Sequence, residues 1–189
     1  MNYDILIIGS STGGPKALYN IIDKFNNELN IPILIVQHLP VSFEASFVEV
    51  LNNKSKLNVI IAENDTILDP NFIYVTKGGF QTEFIDKFKI KTILDNNPLS
   101  FAPSISKTII SAINIGMNPI ICILSGLSAK EDGLMGCKEA KMKNFPIIIQ
   151  DKNSSLIYGM QKIIKEAGYY DFELDINDIP NKIYELIKK

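Results

Sequence analysis

Three side chains that could together move an acyl group follow three separate apolar runs. Ser11 belongs to Gly9-Ser10-Ser11-Thr12-Gly13-Gly14, which follows the run at residues 3–8 and precedes a helical pattern beginning near Pro15. A serine in a tight strand-to-helix turn is pushed clear of the sheet, beside the free amides of a helix N-terminus. Gly9, Ser11 and Gly13 have the spacing of a nucleophile elbow. Two nucleotide-binding readings fit less well. A phosphate loop needs Lys and then Ser or Thr directly after its second glycine, whereas Gly14 is followed by Pro15, Lys16 and Ala17. A dinucleotide fingerprint needs glycine where Ser11 stands, so that the backbone can approach a pyrophosphate. A glycine turn that simply closes a βα unit is the remaining alternative.

His38, the single histidine, ends a second apolar run at residues 33–37, and Leu39-Pro40 stops that strand. If the two runs are neighbouring parallel strands, Ser11 and His38 emerge at one carboxyl edge, where open α/β sheets bind ligands. An imidazole beside a serine hydroxyl is the minimum equipment for acyl transfer. A histidine that closes a strand without chemistry is the bland alternative. A third run, residues 119–124, leads into Ser125-Gly126-Leu127-Ser128-Ala129-Lys130-Glu131-Asp132-Gly133. This loop brings acids to the same edge, and Asp132 or Glu131 could orient the imidazole and stabilise its protonated form. Asp132 is equally suited to cap the helix that starts near Gly133.

The elements that must position these groups alternate along the chain. Helical periodicity covers residues 15–25, 43–51, 104–115, 133–143 and 155–166, and Asp178 and Pro180 introduce a last helix at 181–188. Short strands fit residues 59–62, 73–76, 146–149 and 172–174. Residues 80–85 and 88–93 alternate around Asp86-Lys87, the pattern of a β-hairpin. Alternating strands and helices predict a doubly wound, Rossmann-like, mostly parallel sheet with helices on both faces and the hairpin as an insertion. Familiar α/β-hydrolases place the acid before a final histidine. Here the order is serine, histidine, acid, which excludes that fold. Phe43 and Phe47 follow His38 closely, and core packing is expected for at least one.

Composition narrows the function classes. The 189 residues suffice for one domain with a sizeable core, expected to span 1–189. The net charge of −2 gives no case for nucleic acid as the main partner. All nineteen basic residues are lysines, so no guanidinium can clamp a phosphate or carboxylate in bidentate fashion. Cys122 and Cys137 form no Cys-x-x-Cys pair and read as buried thiols, and one histidine with two scattered cysteines speaks against zinc. No cofactor is expected. The N-terminus lacks a secretory pattern and no window approaches a membrane span, so a cytoplasmic protein without membrane insertion is expected.

Taken together, Ile8-Gly9-Ser10-Ser11-Thr12-Gly13-Gly14-Pro15, Val36-Gln37-His38-Leu39-Pro40 and Leu124-Ser125-Gly126 with Asp132-Gly133 resemble the catalytic domain of the chemotaxis receptor methylesterases, the CheB family. Ala102-Pro103-Ser104, Gln150-Asp151 and Tyr158-Gly159-Met160 add to the resemblance, which runs from about residue 3 to about residue 168. It implies Ser11 as nucleophile, His38 as general base and Asp132 as orienting acid, with the backbone amides of Thr12 and Leu127 at the oxyanion positions. It implies hydrolysis of glutamate γ-methyl esters, and deamidation of glutamines, on chemoreceptor cytoplasmic domains. The chain departs from the family pattern in places. Two extra residues precede Asp132-Gly133, Leu127 replaces a methionine, Lys77 stands near a usual second histidine, and Gln161 replaces a proline. The nucleophile strand begins at residue 3, so the family's N-terminal receiver domain is expected to be absent. A non-catalytic receptor-binding module of the same fold is the alternative function. An anion or nucleotide binder using the Gly13-Gly14 helix start is a third.

Overall fold

A computed structural model of the protein describes residues 2–97, 100–128 and 131–188. In chain order its strands are β1 (Ile5–Ser10), β2 (Ile33–Gln37), β3 (Asn58–Ala62), β4 (Phe72–Thr76), β5 (Phe80–Asp86), β6 (Lys89–Leu94), β7 (Pro119–Ile123), β8 (Ile147–Gln150) and β9 (Phe172–Leu174). The helices are α1 (Gly14–Ile21), α2 (Glu44–Lys54), α3 (Ile105–Asn114), α4 (Leu134–Met142), α5 (Met160–Glu166) and α6 (Ile179–Ile187). Seven strands form one parallel sheet in the order β3-β4-β2-β1-β7-β8-β9, and β5 pairs with β6 in a separate antiparallel hairpin. This is the predicted doubly wound architecture. The chain winds outward from β1 through β2 on one side and returns to β1's other side at β7, so β1 marks the topological switch point.

Strands covered on both faces read as unbroken apolar runs, and every residue of β1, β2, β7 and β8 is buried. The two-residue period then divides them between two cores. Leu6, Ile8, Ile33, Ile35, Ile120 and Cys122 point to the layer of α1, α2 and α6, joined by Leu18, Ile21, Leu51 and Ile183. Ile5, Ile7, Leu34, Val36, Ile121 and Ile123 point to the layer of α3, α4 and α5, joined by Ile109, Cys137 and Ile164. Full burial of each such side chain contributes roughly 1.5–3 kcal/mol, which makes the sheet centre the rigid platform for whatever leaves its carboxyl edge.

Some element boundaries differ from expectation for local reasons. The first strand runs two residues further, to Ser10, because its end pairs in register with Gln37. The first helix stops at Ile21 and continues only as a 3₁₀ turn, Ile22–Lys24. The last helix begins at Ile179, with Pro180 in its first turn, where a missing N–H costs nothing. The largest discrepancy is α5, expected from residue 155 and found from Met160. Residues 157–159 are used instead to brace the β7 loop: the Gly126 amide donates to Ile157 O (3.1 Å) and the Gly159 amide to Gly126 O (3.0 Å).

Candidate active site

Ser10 and Gln37 are register partners at the ends of β1 and β2, so the next residues, Ser11 and His38, leave the sheet at the same height. The His38 amide donates to Ser10 O at 3.1 Å, which fixes the start of the second loop against the first. The His38 ring spans the gap to the third loop. Its Nδ1 lies 3.2 Å from Ser11 Oγ and its Nε2 lies 2.9 Å from Asp132 Oδ2. An ionised carboxylate only accepts, so Nε2 carries the proton and Nδ1 turns its lone pair toward the serine. The ring is thus used in the opposite sense to the serine-protease template, where Nε2 faces the serine.

Asp132 is buried and fully engaged. Oδ1 accepts from Ser104 Oγ (2.8 Å) and the Ser106 amide (3.0 Å), and Oδ2 accepts from the Ile105 amide (2.8 Å) besides His38. Burial raises its carboxyl pKa. Hydrogen bonds from His38, then from the Ser106 and Ile105 amides, outweigh that and bring it down to about 2. Asp132 therefore sits on the N-terminus of α3, where a negative charge is favoured. It does not cap the helix that follows it. The N-cap of α4 is Gly133, with no side-chain cap, and Ser106 Oγ accepts from the Gly133 amide at 2.8 Å. Glu131, the other candidate acid, is exposed with φ 53°, and His38 meets Asp132. Ala129 and Lys130 of the same loop lie outside the described residues.

The loop after β7 is built onto the nucleophile turn. The Ser11 amide donates to Ser125 O (3.0 Å), and Ser125 Oγ donates to Thr12 O (2.9 Å). Gly126 passes so close that a Cβ there would lie 3.0 Å from Ser11 Cβ and 2.5 Å from Met160 Cε. Among the described residues, neither the Thr12 amide nor the Leu127 amide has a hydrogen-bond acceptor. Thr12 follows Ser11 in the nucleophile turn, and Leu127 follows Gly126, the residue that passes close to Ser11. The described residues contain no group of His, Cys, Asp and Glu suited to hold a metal ion.

Several residues around the site escaped the sequence reading. Buried Gln37 joins the first two loops: Ser10 Oγ donates to its Oε1 (2.5 Å), and its Nε2 donates to Ser11 O (3.0 Å) and His38 O (3.1 Å). Gln150 Oε1 accepts from the Ser125 amide at 2.9 Å. Phe101 stacks on the His38 ring, with centroids 4.3 Å apart and planes within 4°. Both glutamines stand in motifs that carry the resemblance, but the only signal for these bonds is a polar side chain ending an apolar run. Of the two phenylalanines after His38, Phe47 is buried in the core and Phe43 is 58% exposed. Lys77, near the place of a usual second histidine, lies 3.8 Å from Glu63 and over the Phe80 ring. Gln161 is buried and donates through Nε2 to Ser155 Oγ at 3.0 Å.

Fold and geometry together define a Rossmann-like α/β protein with a Ser–His–Asp constellation at the switch point of its sheet. The model of the family described as CheB methylesterase matches residues 6–183, and the chain belongs to that family. A "Protein-glutamate methylesterase/protein-glutamine glutaminase" of Clostridium acetobutylicum is 32% identical over 186 residues, covering 98% of this chain and 53% of that protein. One of the same description from Thermotoga maritima is 33% identical, covering 97% of this chain and 54% of that protein. The chain thus spans about half the length of the curated relatives it matches. The crystal structure of the Thermotoga maritima CheB methylesterase catalytic domain superimposes with a TM-score of 0.89 at 31% identity, covering 98% of this chain and 100% of that one.

Proposed function

We propose that residues 1–189 act as one catalytic domain that hydrolyses glutamate γ-methyl esters, and deamidates glutamines, on chemoreceptor cytoplasmic domains. The observation that carries this reading is the unbroken relay from Ser11 Oγ through His38 to Asp132, in a chain whose relatives bear the names given above. Ser11 is the nucleophile. As it attacks the ester carbonyl, His38 Nδ1 takes its proton and the imidazolium is stabilised by Asp132 through Nε2–H. His38 then protonates the departing methoxide, so methanol leaves and an acyl-serine remains. Water, deprotonated by the same nitrogen, releases the glutamate carboxylate and restores the hydroxyl.

The Thr12 and Leu127 amides supply the oxyanion donors, each worth about 3–4 kcal/mol in the transition state. Neither has an acceptor among the described residues, and each adjoins a residue at the nucleophile turn, Thr12 following Ser11 and Leu127 following Gly126. Glutamine deamidation follows the same steps with ammonia as the leaving group, harder to expel and needing its proton from His38. No described helix is long and apolar enough to cross a membrane, in keeping with a cytoplasmic site of action.

The test is methanol release from a methylated receptor cytoplasmic fragment, comparing the native protein with Ser11→Ala. A fall of about 10⁴ in the variant is expected. Release from neither protein, with the fragment still bound, would replace this reading with a receptor-binding module.

A further inference from the structure

We infer that Phe101 is a positioning residue for His38, holding the imidazole plane so that Nδ1 meets Ser11 while Nε2 meets Asp132. The inference rests on the relay proposed above. Hydrogen bonds at the two ring nitrogens hold those atoms near their partners, but rocking of the ring about the line joining them bends both bonds out of the ring plane and weakens the preference for a proton on Nε2. A flat partner 4.3 Å away and within 4° of parallel opposes that rocking. Turning the imidazole toward its other face would drive its edge into the phenylalanine ring. The side chain that does this is half-buried and belongs to neither buried core cluster.

Phe101 is itself held by the hairpin. Its carbonyl accepts from Gln81 Nε2 at 2.6 Å, and the next carbonyl, Ala102 O, accepts from the Gly79 amide at 2.9 Å. Gln81 is buried in β5, and its Oε1 accepts from the Ser104 amide at 3.0 Å. Ser104 in turn donates its hydroxyl to Asp132. One amide side chain thus sets both the ring that faces His38 and the hydroxyl that holds its acid. This gives the inserted hairpin a task at a site it does not enter.

Because the chain has a single histidine, nitrogen-15 spectra of the ring report one imidazole and show directly which nitrogen carries the proton. Native protein and Phe101→Tyr, which keeps a stacking ring, are expected to show the Nε2–H form alone. Phe101→Leu is expected to show a mixture of the two tautomers. On the methylated fragment, kcat should fall about tenfold for Phe101→Leu with KM unchanged, and stay within about twofold for Phe101→Tyr. If the leucine variant does not fold, Phe101→Met supplies the same loss of ring. A pure Nε2–H form with native kcat in the ringless variant overturns the inference, as does an equal loss in Phe101→Tyr. The tautomer readout needs no substrate, so a protein inactive on the fragment still decides the role of Phe101.

Discussion

Asp132 accepts from four donors at once: the His38 ring, the Ser104 hydroxyl and the Ile105 and Ser106 amides. Only a carboxylate can accept at both oxygens, so Asp132→Asn forces a choice. Its NH₂ group must face either the Ser106 N–H at the Oδ1 position or both the Ile105 N–H and the imidazole at the Oδ2 position, and in the second case His38 turns its lone pair to the amide and its proton to Ser11. A serine faced by N–H has no base. The expected loss in kcat is about 10⁴ with KM little changed, measured by methanol release. At this scale the sequence was informative but incomplete. Ser11 and His38 were each visible just beyond an apolar run, and the candidate acids in the loop that follows a third. The choice between neighbours Glu131 and Asp132 was open to residue type alone. In space it is Asp132 that meets His38, held there by a helix N-terminus more than twenty residues upstream, while Glu131 is exposed with a positive φ. Gln37 belongs to a motif that carries the resemblance, yet its three hydrogen bonds depend on a register no single segment reveals.

The elements that carry Asp132 meet at Gly136. A Cβ there would lie 3.0 Å from Ile109 Cβ and from Ser106 Cα, so α3 and α4 cross at a contact made for glycine. The Gly136 amide also reaches Ser106 Oγ at 3.3 Å. Overpacking such a crossing costs about 1–3 kcal/mol, and here it would push α4 away from the α3 N-terminus that holds the acid. Gly136→Val should therefore lower the urea midpoint and also reduce kcat, by more than the folded fraction explains. Stability measured by denaturation beside activity per folded molecule separates the two effects. Element existence was legible because the periods of 2 and 3.6 were strong. The start of α5 was not, since residues 157–159 follow the loop they brace, and the pattern of apolar side chains says nothing of where backbone amides go. The strand ends at Ser10 and Gln150 were missed for a related reason: polar side chains continue the sheet there because both are buried with partners.

Across the whole molecule, the relay joins two halves of the sheet. His38 leaves β2 on one side of the switch point, and Asp132 follows β7 on the other, with Ser11 at the end of β1, the strand between them. The doubly wound order was readable from alternating elements, and so was the shared edge, because all seven strands are parallel. The hydrogen bond across that edge ends on an ionised carboxylate, which makes stability depend on pH. Folding depresses the Asp132 pKa from near 3.9 to about 2, so the native state prefers the charged carboxylate more than the unfolded chain does. Its contribution is present above pH about 4 and is lost as pH falls through about 2, amounting to about 2–3 kcal/mol. Asp95 is also held low, by the Gln81 amide first and then by the Asn97 amide and the Ser100 hydroxyl, but it is common to native protein and variant and cancels in a comparison. Urea unfolding of native protein and Asp132→Asn at a series of pH values should thus give a difference that is largest near neutral pH and shrinks steadily between pH about 4 and 2. A difference constant with pH would mean that the carboxylate is held by shape alone. It would place the charge of Asp132 outside the forces that join the two halves.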